Sequence, residues 1–435
     1  MDIIRGIIGL LFLLAVGYAL SQNRKSIHWR VIWMGVLLQV IFGIAVFKVQ
    51  IINQGFSVLS SKFVAFLDFA RQGAVFLFGG LSVNSFSDAS AGHNLGFLFA
   101  FQALPTVIFF SAVTSGLYYL GILQKIVKGF AWLMVRTMRL SGSESLSASA
   151  NIFMGQTEAP LLVKPFIKNM TQSELFCLMT GGMSTLAGSV LAVYVGMLGG
   201  SDPASQASFA TYLLCASIMN APAAIVMSKL MMPEMEPDKI DARLQVNKEQ
   251  LGVNLMDALA SGVGDGVKLA LNIGAMLLAF IAMILAFNWM LGGIGDWVGV
   301  NEWIRTSSAG AYKGLGLEYI LGQVFRVFAF FMGVDWTESL QVGSLLGKKM
   351  VLNEFLAYAD LTTFKEGGFL SEKAVLISTF ALCGFANFSS IAIQIGGIGG
   401  MAENRKGDLS KLGMRSMIAA FLATMMSATI AGAIF

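Results

Sequence analysis

Eight apolar stretches, each about 20 residues long, set the strongest limit on how this chain can fold. They cover residues 3–20, 31–48, 95–119, 175–198, 207–228, 269–291, 374–395 and 416–435. A stretch of this length is long enough to cross the hydrocarbon core of a bilayer as a helix. Only 12% of the 435 residues are charged, against about 25% in soluble domains, so the chain cannot solvate a globule of this size. The pattern predicts an all-α polytopic membrane protein with eight transmembrane helices.

The remaining composition argues against several classes of function. The net charge of +4 is scattered along the chain and gives no basis for nucleic-acid binding. Cys177, Cys215 and Cys383 lie in apolar runs without a paired spacing, so we interpret them as small buried hydrophobes. His28 and His93 are the only histidines, too few for a histidine-based metal site. The chain has no haem motif, Rossmann fingerprint or P-loop, and thus no signature of an ATP-driven pump.

The first apolar stretch shares one feature with a secretory signal peptide, because Ala19-Leu20-Ser21 resembles a cleavage site. We favour a first transmembrane helix instead. The residues before the apolar run include Asp2 as well as Arg5, whereas a signal peptide begins with positive charge. Many further spans follow this first one.

Lysine and arginine residues predict the orientation in the membrane. Most of the basic loop residues fall on one side of the membrane if residues 142–167 enter and leave by the same face. The connection 199–206, on the opposite side, has no lysine or arginine. Because basic loops stay in the cytoplasm, both termini are predicted to be periplasmic. Residues 292–373, assigned outside, also carry several basic residues, which weighs against this orientation. The basic residues on the cytoplasmic side are Arg24, Lys25, Arg30, Lys125, Lys128, Arg136, Arg139, Lys164, Lys168, Lys239, Arg243, Lys248, Arg405, Lys406, Lys411 and Arg415.

Four shorter apolar segments do not resemble full spans. Residues 51–87 and 123–140 are amphipathic, which is typical of interfacial helices. Residues 142–167 and 337–360 are half-length apolar pieces broken by Gly, Asn, Glu and Pro. Irregular backbone at membrane depth has to be buried in protein or line a cavity, so we predict that both are re-entrant helical hairpins.

The two halves of the chain repeat the same order of features. Three spans, an odd number, separate corresponding points, so the repeats must have opposite orientations in the membrane. Inverted repeats with broken helices that meet at the midplane are a design of secondary transporters. The matched features are 130–134 with 328–332, Glu144-Ser145-Leu146 with Glu338-Ser339-Leu340, Glu158 with Glu354, and the interrupted spans at 181–189 and 383–390.

This repeat divides the chain into four parts. We expect residues 1–92 to form N-terminal spans and an interfacial helix that act mostly as scaffold. Residues 93–232 form the first inverted repeat, 233–257 a cytoplasmic linker, and 258–435 the second inverted repeat. Each repeat contains one predicted hairpin and one broken span.

The first hairpin carries a polar motif from Asn151 to Pro160 in an apolar context. Pro160 suits the first turn of a helix, which would leave Gln156, Thr157 and Glu158 beside free backbone donors. A glutamine amide offers a donor and an acceptor together, which suits the edge of a heterocycle or an amide.

The second hairpin supplies a facing carboxylate, Glu354. A carboxylate can accept hydrogen bonds from two neighbouring hydroxyls, which fits the diol of a sugar. The alternative is that the two glutamates are structural, each paired with a lysine such as Lys164 or Lys348. Ionisable residues inside a membrane are expensive, which favours a functional interpretation of the matched pair.

Asn151, with Ser184 or Thr185, suggests a second site. Side-chain oxygens from a hairpin and a broken span, joined by freed carbonyls, would make a cage of hard oxygens suited to Na⁺. The alternative is that these residues only form hydrogen bonds between helices.

Three motifs resemble the signatures of the concentrative nucleoside transporter family: Gly155-Gln156-Thr157-Glu158-Ala159-Pro160, Asn353-Glu354-Phe355 and Gly384-Phe385-Ala386-Asn387-Phe388-Ser389-Ser390. They occur in the family's order, and the resemblance covers nearly the whole chain in its short, eight-span bacterial form. It implies a bacterial inner-membrane protein that is a homotrimer, with an outer scaffold and a moving transport domain.

The resemblance also implies roles for individual residues. The nucleoside base would bind to Gly155, Gln156, Thr157, Glu158 and Val190. The ribose would bind to Glu354, Phe385, Asn387 and Ser390. The Na⁺ site would consist of Asn151, Thr185 and the carbonyls of Met154 and Leu186.

The first motif also bears on the coupling ion. Some bacterial members are proton-coupled and carry Gln-Ser-Glu-Asn at this place, whereas Gln156-Thr157-Glu158-Ala159 resembles the sodium-coupled branch. Thr185 stands where a serine is common, and it keeps the hydroxyl.

We therefore expect inward Na⁺-coupled symport of nucleosides such as uridine or adenosine by an elevator-type movement, with no cofactor besides the coupling ion. The closest alternative is coupling to H⁺ through Glu158 or Glu354. An intramembrane enzyme with these glutamates as acid and base lacks an evident nucleophile. A passive channel would not accumulate its substrate. The preference between purines and pyrimidines stays open, because every base offers Gln156 a complementary edge.

Overall fold

The computed structural model describes residues 2–82, 87–88, 93–94, 98–200, 202–241, 252–308 and 310–435, which are almost entirely α-helical, as predicted. The N-terminal part contains α1 (Asp2–Ala19), α2 (Trp29–Lys48), α3 (Gln50–Phe78), two antiparallel strands, β1 (Ser87–Asp88) and β2 (His93–Asn94), then α4 (Phe99–Gln102) and α5 (Leu104–Tyr119). The next part contains α6 (Ile122–Met138), α7 (Gly142–Ala150), α8 (Lys164–Ile167), α9 (Gln172–Ser184), α10 (Gly188–Gly199) and α11 (Pro203–Met231). The last part contains α12 (Leu255–Val298), α13 (Asn301–Ser307), α14 (Leu317–Phe331), α15 (Ser339–Val351), α16 (Glu354–Glu366), α17 (Glu372–Leu382), α18 (Phe388–Met401) and α19 (Lys406–Ile434). Short 3₁₀ helices cover residues 24–26, 79–82, 159–163, 237–239 and 403–405.

Within the described residues, eight helical segments are long and apolar enough to cross a membrane. Seven of them coincide with predicted spans. The eighth is α3 with the 3₁₀ turn after it, which its amphipathic sequence had predicted to be an interfacial helix. The predicted span 374–395 is divided between two shorter helices, α17 and α18.

The hairpins lie where the sequence predicted them, but their arms differ. The first hairpin consists of α7, an irregular turn, the 3₁₀ helix 159–163 and α8. The second hairpin consists of α15 and α16, and it extends to Glu366 rather than ending at 360. Charged residues in the second arm have partners within the protein, since Asp360 pairs with Lys348 at 2.5 Å and Lys365 donates to the Leu198 carbonyl at 2.7 Å.

Two other predicted boundaries differ from the structure. The span predicted at 95–119 is interrupted at Ala103, between α4 and α5, and Pro105 lies in the first turn of α5, where its missing N–H costs little. Residues 95–97 lie outside the described part. Helix α12 already begins at Leu255, capped by Asn254, inside the predicted linker, of which residues 242–251 are outside the described part.

The centre of the molecule is formed by α9, α10, α11 and α19, whose residues are mostly buried. In contrast, α1, α3 and α12 expose many large apolar side chains, as helices that face lipid do. Helices α11 and α19 pack against each other, and each also contacts a half-helix of both broken spans, α9 and α17. A buried ion pair between Lys229 and Glu144 joins α11 to the first hairpin.

Candidate functional site

The tip of the first hairpin is positioned by local hydrogen bonds. Helix α7 begins with a capping box, in which Ser141 Oγ accepts from the Glu144 amide at 3.1 Å and Glu144 accepts from the Ser141 amide at 3.3 Å. It ends at Ala150, and Asn151 follows as its C-cap. Farther along, the Glu158 carboxylate accepts from the Gly155 amide at 3.2 Å, which closes a tight turn. Gln156 and Thr157 therefore lie in the turn that precedes the 3₁₀ helix.

The tip of the second hairpin is built differently. Asn353 caps α16, because its Oδ1 accepts from the Leu356 amide at 3.0 Å. This cap makes Glu354 the first residue of the helix, and its side chain is 2% exposed. A carboxylate at this position is favoured by the partial positive charge of the helix N-terminus.

The breaks of the two broken spans (α9–α10 and α17–α18) touch each other. Gly384 has a φ of +155°, and a Cβ placed on it would lie 2.7 Å from the Ser184 carbonyl oxygen. Only glycine fits this close approach. Asn220 of α11 stabilises the second break, since its Nδ2 donates to the Cys383 carbonyl at 2.6 Å.

Glu354 is the centre of a buried polar network. Its two oxygens accept hydrogen bonds from Tyr194 Oη at 2.9 Å and from Asn387 Nδ2 at 3.0 Å. Asn387 is held in turn as the N-cap of α18, because its Oδ1 accepts from the Ser390 amide at 2.9 Å and from Ser389 Oγ at 2.7 Å. The asparagine amide can therefore present only its N–H groups to Glu354.

Gln156 is the centre of a second network. Its Nε2 donates to Ser390 Oγ at 3.1 Å, and its Oε1 accepts from Gln394 Nε2 at 3.2 Å. The Gln394 amide also donates to the Met179 carbonyl of α9 at 3.0 Å. Ser390 thus belongs to the Gln156 network through its hydroxyl and to the Glu354 network through its amide.

The networks connect the two repeats crosswise. The tip of the first hairpin bonds to the second broken span, whereas the tip of the second hairpin bonds to Tyr194 in the first broken span. The structure thereby brings together Gln156, Glu354, Asn387 and Ser390 from widely separated parts of the sequence. Thr157 contacts α18, because a Cβ on Gly397 would lie 3.0 Å from its Cγ2.

The remaining predicted base and sugar residues contribute apolar surface. Val190 is the third residue of α10 and is 2% exposed. Phe385 lies in the second break and packs against the main apolar core, which also contains Val190. Gly155 sits beside Ala187 at the first break, with 3.4 Å between the alanine Cβ and a Cβ placed on the glycine.

The residues predicted to bind Na⁺ are all buried at the first break. Asn151 is 1% exposed, and neither its Oδ1 nor its Nδ2 has a hydrogen-bond partner. Met154, Thr185 and Leu186 are at most 3% exposed. Such a buried, unpartnered amide is costly and rare, so it fits an oxygen that serves as a cation ligand.

The nearby hydroxyls are compatible with this assignment. Ser184 Oγ donates to the Thr180 carbonyl at 2.6 Å, and Thr185 Oγ1 donates to the Gly181 carbonyl at 3.0 Å. Each hydroxyl donates its hydrogen to a backbone carbonyl of the helix, so its lone pairs remain available to a cation. The donor set at this break consists of neutral, hard oxygens, as Na⁺ prefers in transporters.

The structural interpretation of Glu354 as a partner of Lys348 is wrong. Lys348 lies on the other side of the second hairpin, where it pairs with Asp360 at 2.5 Å and with Glu318 at 3.1 Å. These residues line a separate cavity of about 530 Å³ between α12, α14 and α16, which contains none of the predicted site residues. Gly155, rather than a lysine, provides the hydrogen bond to Glu158.

Two residues of the networks were not among those predicted from the sequence, Tyr194 and Gln394. Each is an isolated polar residue within an apolar helical run of a broken span. A polar side chain in such a run must find a partner inside the protein, which is the signal that would have identified them.

Tyr194→Phe tests whether this hydroxyl positions Glu354. If the site binds a nucleoside, as the motif resemblance implies, the variant should bind uridine about 10-fold more weakly, because a hydrogen bond to a charged group contributes about 1.5 kcal/mol or more. Equilibrium binding of radiolabelled uridine to the purified protein measures the change. Tyr358→Phe is the matched control, since the Tyr358 ring packs against Tyr194 but its hydroxyl donates to the Thr379 carbonyl instead. Equal losses in both variants would contradict the assignment.

Three family models match the chain. They are described as the N-terminus of Na⁺-dependent nucleoside transporters over residues 8–81, nucleoside recognition over residues 100–201, and the C-terminus of Na⁺-dependent nucleoside transporters over residues 212–432. Together the three matches cover most of the chain, including nearly all of both repeats.

Relatives and solved structures agree with these matches. A Haemophilus influenzae protein described as an uncharacterized transporter is 41% identical, over 99% of this chain and 98% of that protein. Sodium/nucleoside cotransporter 1 of Mus musculus is 36% identical over 98% of this chain, which spans 63% of the mouse protein. CNTnw in an inward-facing, substrate-bound state superposes with a TM-score of 0.88 at 38% identity, covering 100% of this chain and 98% of that one. A doubly substituted CNTnw in an outward-facing state gives 0.90, also at 38% identity and with the same coverage.

Proposed function

Because the chain belongs to the family of Na⁺-dependent nucleoside transporters, we propose that it carries nucleosides into the cell by Na⁺-coupled symport. It is a multi-pass membrane transporter and not an enzyme. The observation that carries the proposal is the crosswise network, in which both hairpin tips and the second broken span meet through Gln156, Ser390, Asn387 and Glu354.

The network suits the two parts of a nucleoside. The Gln156 amide offers a donor and an acceptor, which can bond to the edge of a base in place of Ser390 and Gln394. Glu354 has lone pairs beyond those used by Tyr194 and Asn387, and these can accept from the two ribose hydroxyls. Thr157, Glu158 and Gly155 complete the proposed base side, while Val190 and Phe385 provide apolar walls.

The proposed coupling ion binds at the first break. Asn151 and Thr185 would contribute side-chain oxygens, and Met154 and Leu186 their carbonyls. The ion would supply positive charge close to the first hairpin, which carries the half-buried carboxylate Glu158. Since the same hairpin tip would hold both ligands, Na⁺ binding should raise the affinity for nucleoside, and nucleoside binding should raise the affinity for Na⁺ by the same factor.

An elevator-type movement is the proposed mechanism of alternating access. The hairpins and broken spans are joined by buried polar bonds and would move as one unit. Helices α5 and α12 pack tightly through Gly262 and Gly266, where an added Cβ would lie 2.7 Å from Ser115 and 2.8 Å from Ile108. Such a rigid pair suits a stationary scaffold. We further propose a homotrimer in the bacterial inner membrane with periplasmic termini.

Uptake into liposomes tests the function. We expect radiolabelled uridine to accumulate above the external concentration when a Na⁺ gradient is imposed at constant pH on both sides. Accumulation driven only by a pH gradient would instead support H⁺ coupling. Equilibration without accumulation would indicate a channel, and either result would refute Na⁺-coupled symport.

A further inference from the structure

Lys349 is a fully buried lysine in the first arm of the second hairpin, and it has no role in the proposed function. Its side chain is 0% exposed, although it belongs to a residue type that is almost never buried without a partner. Its Nζ donates to the Ala381 carbonyl at 2.8 Å and to Thr424 Oγ1 at 3.0 Å, and it lies 5.8 Å from the centre of the Phe421 ring. Both hydrogen-bond acceptors are neutral oxygens, whereas the neighbouring Lys348 pairs with two carboxylates.

The surroundings of Lys349 are suited to a cation. Ala381 is in the last turn of α17, and the C-terminal end of a helix carries a partial negative charge from its unpaired carbonyls. Glu354 follows five residues farther along the second hairpin, at the start of its second arm. A buried charge of this kind is expensive, and the helix end and the two hydrogen bonds of the ammonium offset that cost.

The position of Lys349 corresponds to that of the proposed Na⁺ site in the other repeat. Asn151 lies at the end of the first arm of the first hairpin and contacts α9, since its Nδ2 is 3.2 Å from a Cβ placed on Gly181. Lys349 lies near the end of the first arm of the second hairpin and contacts α17, the equivalent half-helix. Both positions combine a hairpin tip with the C-terminal end of the first half of a broken span.

We propose that Lys349 is a built-in counterpart of Na⁺ in the second repeat. Its ammonium group fixes the second hairpin to the second broken span through the Ala381 carbonyl, as the proposed Na⁺ would do at the first hairpin. The second repeat therefore needs no ion from solution, and a single Na⁺ accompanies each nucleoside. The inference rests on the proposed function, because it assumes that Na⁺ binds at the first break.

Two substitutions separate the charge of Lys349 from its volume. Lys349→Met keeps the shape and leaves no space for an ion, whereas Lys349→Ser leaves space and an added oxygen beside Ala381 and Thr424. Lys348→Met is the control, because it removes a lysine from the same hairpin that contacts other partners. Uridine binding to purified protein is measured over a series of Na⁺ concentrations, with choline keeping the ionic strength constant.

For the wild type and Lys348→Met we expect a Hill coefficient for Na⁺ of about 1. Lys349→Met should bind uridine at least about 10-fold more weakly at every Na⁺ concentration, with the coefficient unchanged. Lys349→Ser should match Lys349→Met at low Na⁺ but recover affinity at high Na⁺, with a coefficient rising above 1, because a second ion fills the vacated position. Thermal unfolding with increasing Na⁺ and no uridine should show the same additional stabilisation in the serine variant alone.

The outcomes distinguish this inference from the function on which it rests. A wild type that ignores Na⁺ would overturn both. A Na⁺-responsive wild type together with a Lys349→Met variant of normal affinity would overturn only the role of Lys349. The role of Lys349 would also be overturned if Lys349→Ser never differs from Lys349→Met. It would be overturned as well if neither variant folds and Lys349→Arg, which keeps the charge, also fails to fold and bind uridine.

Discussion

Glu354→Gln is expected to lower the affinity for uridine by about 100-fold or more, because two hydrogen bonds to a charged group contribute about 3 kcal/mol together. The neutral amide also fits its surroundings less well. Both Glu354 oxygens accept hydrogen bonds, from Tyr194 Oη and Asn387 Nδ2, and the Asn387 amide is fixed by its role as a helix cap. A glutamine Nε2 could donate only to Tyr194 Oη, and the tyrosine hydroxyl would then lose its own acceptor. Equilibrium binding of radiolabelled uridine and uptake into liposomes measure the loss.

Glu338→Gln is the matched control for this prediction. Glu338 lies at the opposite end of the second hairpin, where it accepts from the Ser371 amide at 2.8 Å and from Ser371 Oγ at 2.9 Å in an exposed position. We expect its uridine affinity to stay within about twofold of the wild type, since exposed polar contacts contribute little. Normal uridine affinity of Glu354→Gln would refute the ribose-binding role.

Asn151→Ala is expected to abolish the stabilisation of the protein by Na⁺ without destabilising the Na⁺-free protein. Binding of an ion at about 100 times its Kd stabilises the folded state by about 2.7 kcal/mol, and the variant should lose this shift. In the absence of Na⁺, removal of a buried amide with two unpartnered atoms should raise stability by about 1 kcal/mol. Thermal unfolding of the purified protein with and without Na⁺ measures both changes, the lost Na⁺-induced stabilisation and the higher stability without Na⁺.

Asn301→Ala is the control with the opposite pattern. The Asn301 amide donates to the Gly292 carbonyl at 2.9 Å and to Asp296 at 2.6 Å, and it accepts from the Leu315 amide at 2.8 Å, far from the proposed ion site. Removal of the Asn301 amide should lower the unfolding temperature but leave the rise in unfolding temperature caused by Na⁺ unchanged. A normal Na⁺ shift in Asn151→Ala would remove Asn151 from the proposed site.

The spans and hairpins could be predicted because their signals are local. An apolar run of sufficient length has few alternatives to a helix in the membrane, and the Gly, Asn and Pro residues that interrupt a run mark its breaks. The second broken span illustrates this, since α17 ends at Leu382 and α18 begins at Phe388, around the Gly384–Asn387 segment. Helix boundaries were less accurate, as for α16, because the partners of Asp360 and Lys365 lie elsewhere in the sequence.

The partners of buried polar residues could not be predicted in the same way. The sequence suggested Lys348 as the partner of Glu354, but the two adjacent lysines of α15 lie on different faces of the helix. Lys348 points toward Asp360, while the adjacent Lys349 points into the core toward Ala381. Neighbouring residues on a helix lie on different faces, so the choice between them depends on which face packs inward.

The sequence by itself determined that the protein is an all-α membrane protein with two similar halves, and it identified Glu158 and Glu354 as the matched carboxylates. These conclusions depend on hydrophobic runs and on repeated motifs, which do not require knowledge of distant contacts. Only the tertiary structure decided that Tyr194 and Asn387 hold Glu354, that Gln394 holds Gln156, and that Asn151 is left without a partner. The physical reason is that a buried polar group must be satisfied by whatever the fold brings next to it. In this molecule Tyr194 and Gln394 come from the repeat opposite to that of their partners, whereas Asn387 comes from the same repeat as Glu354.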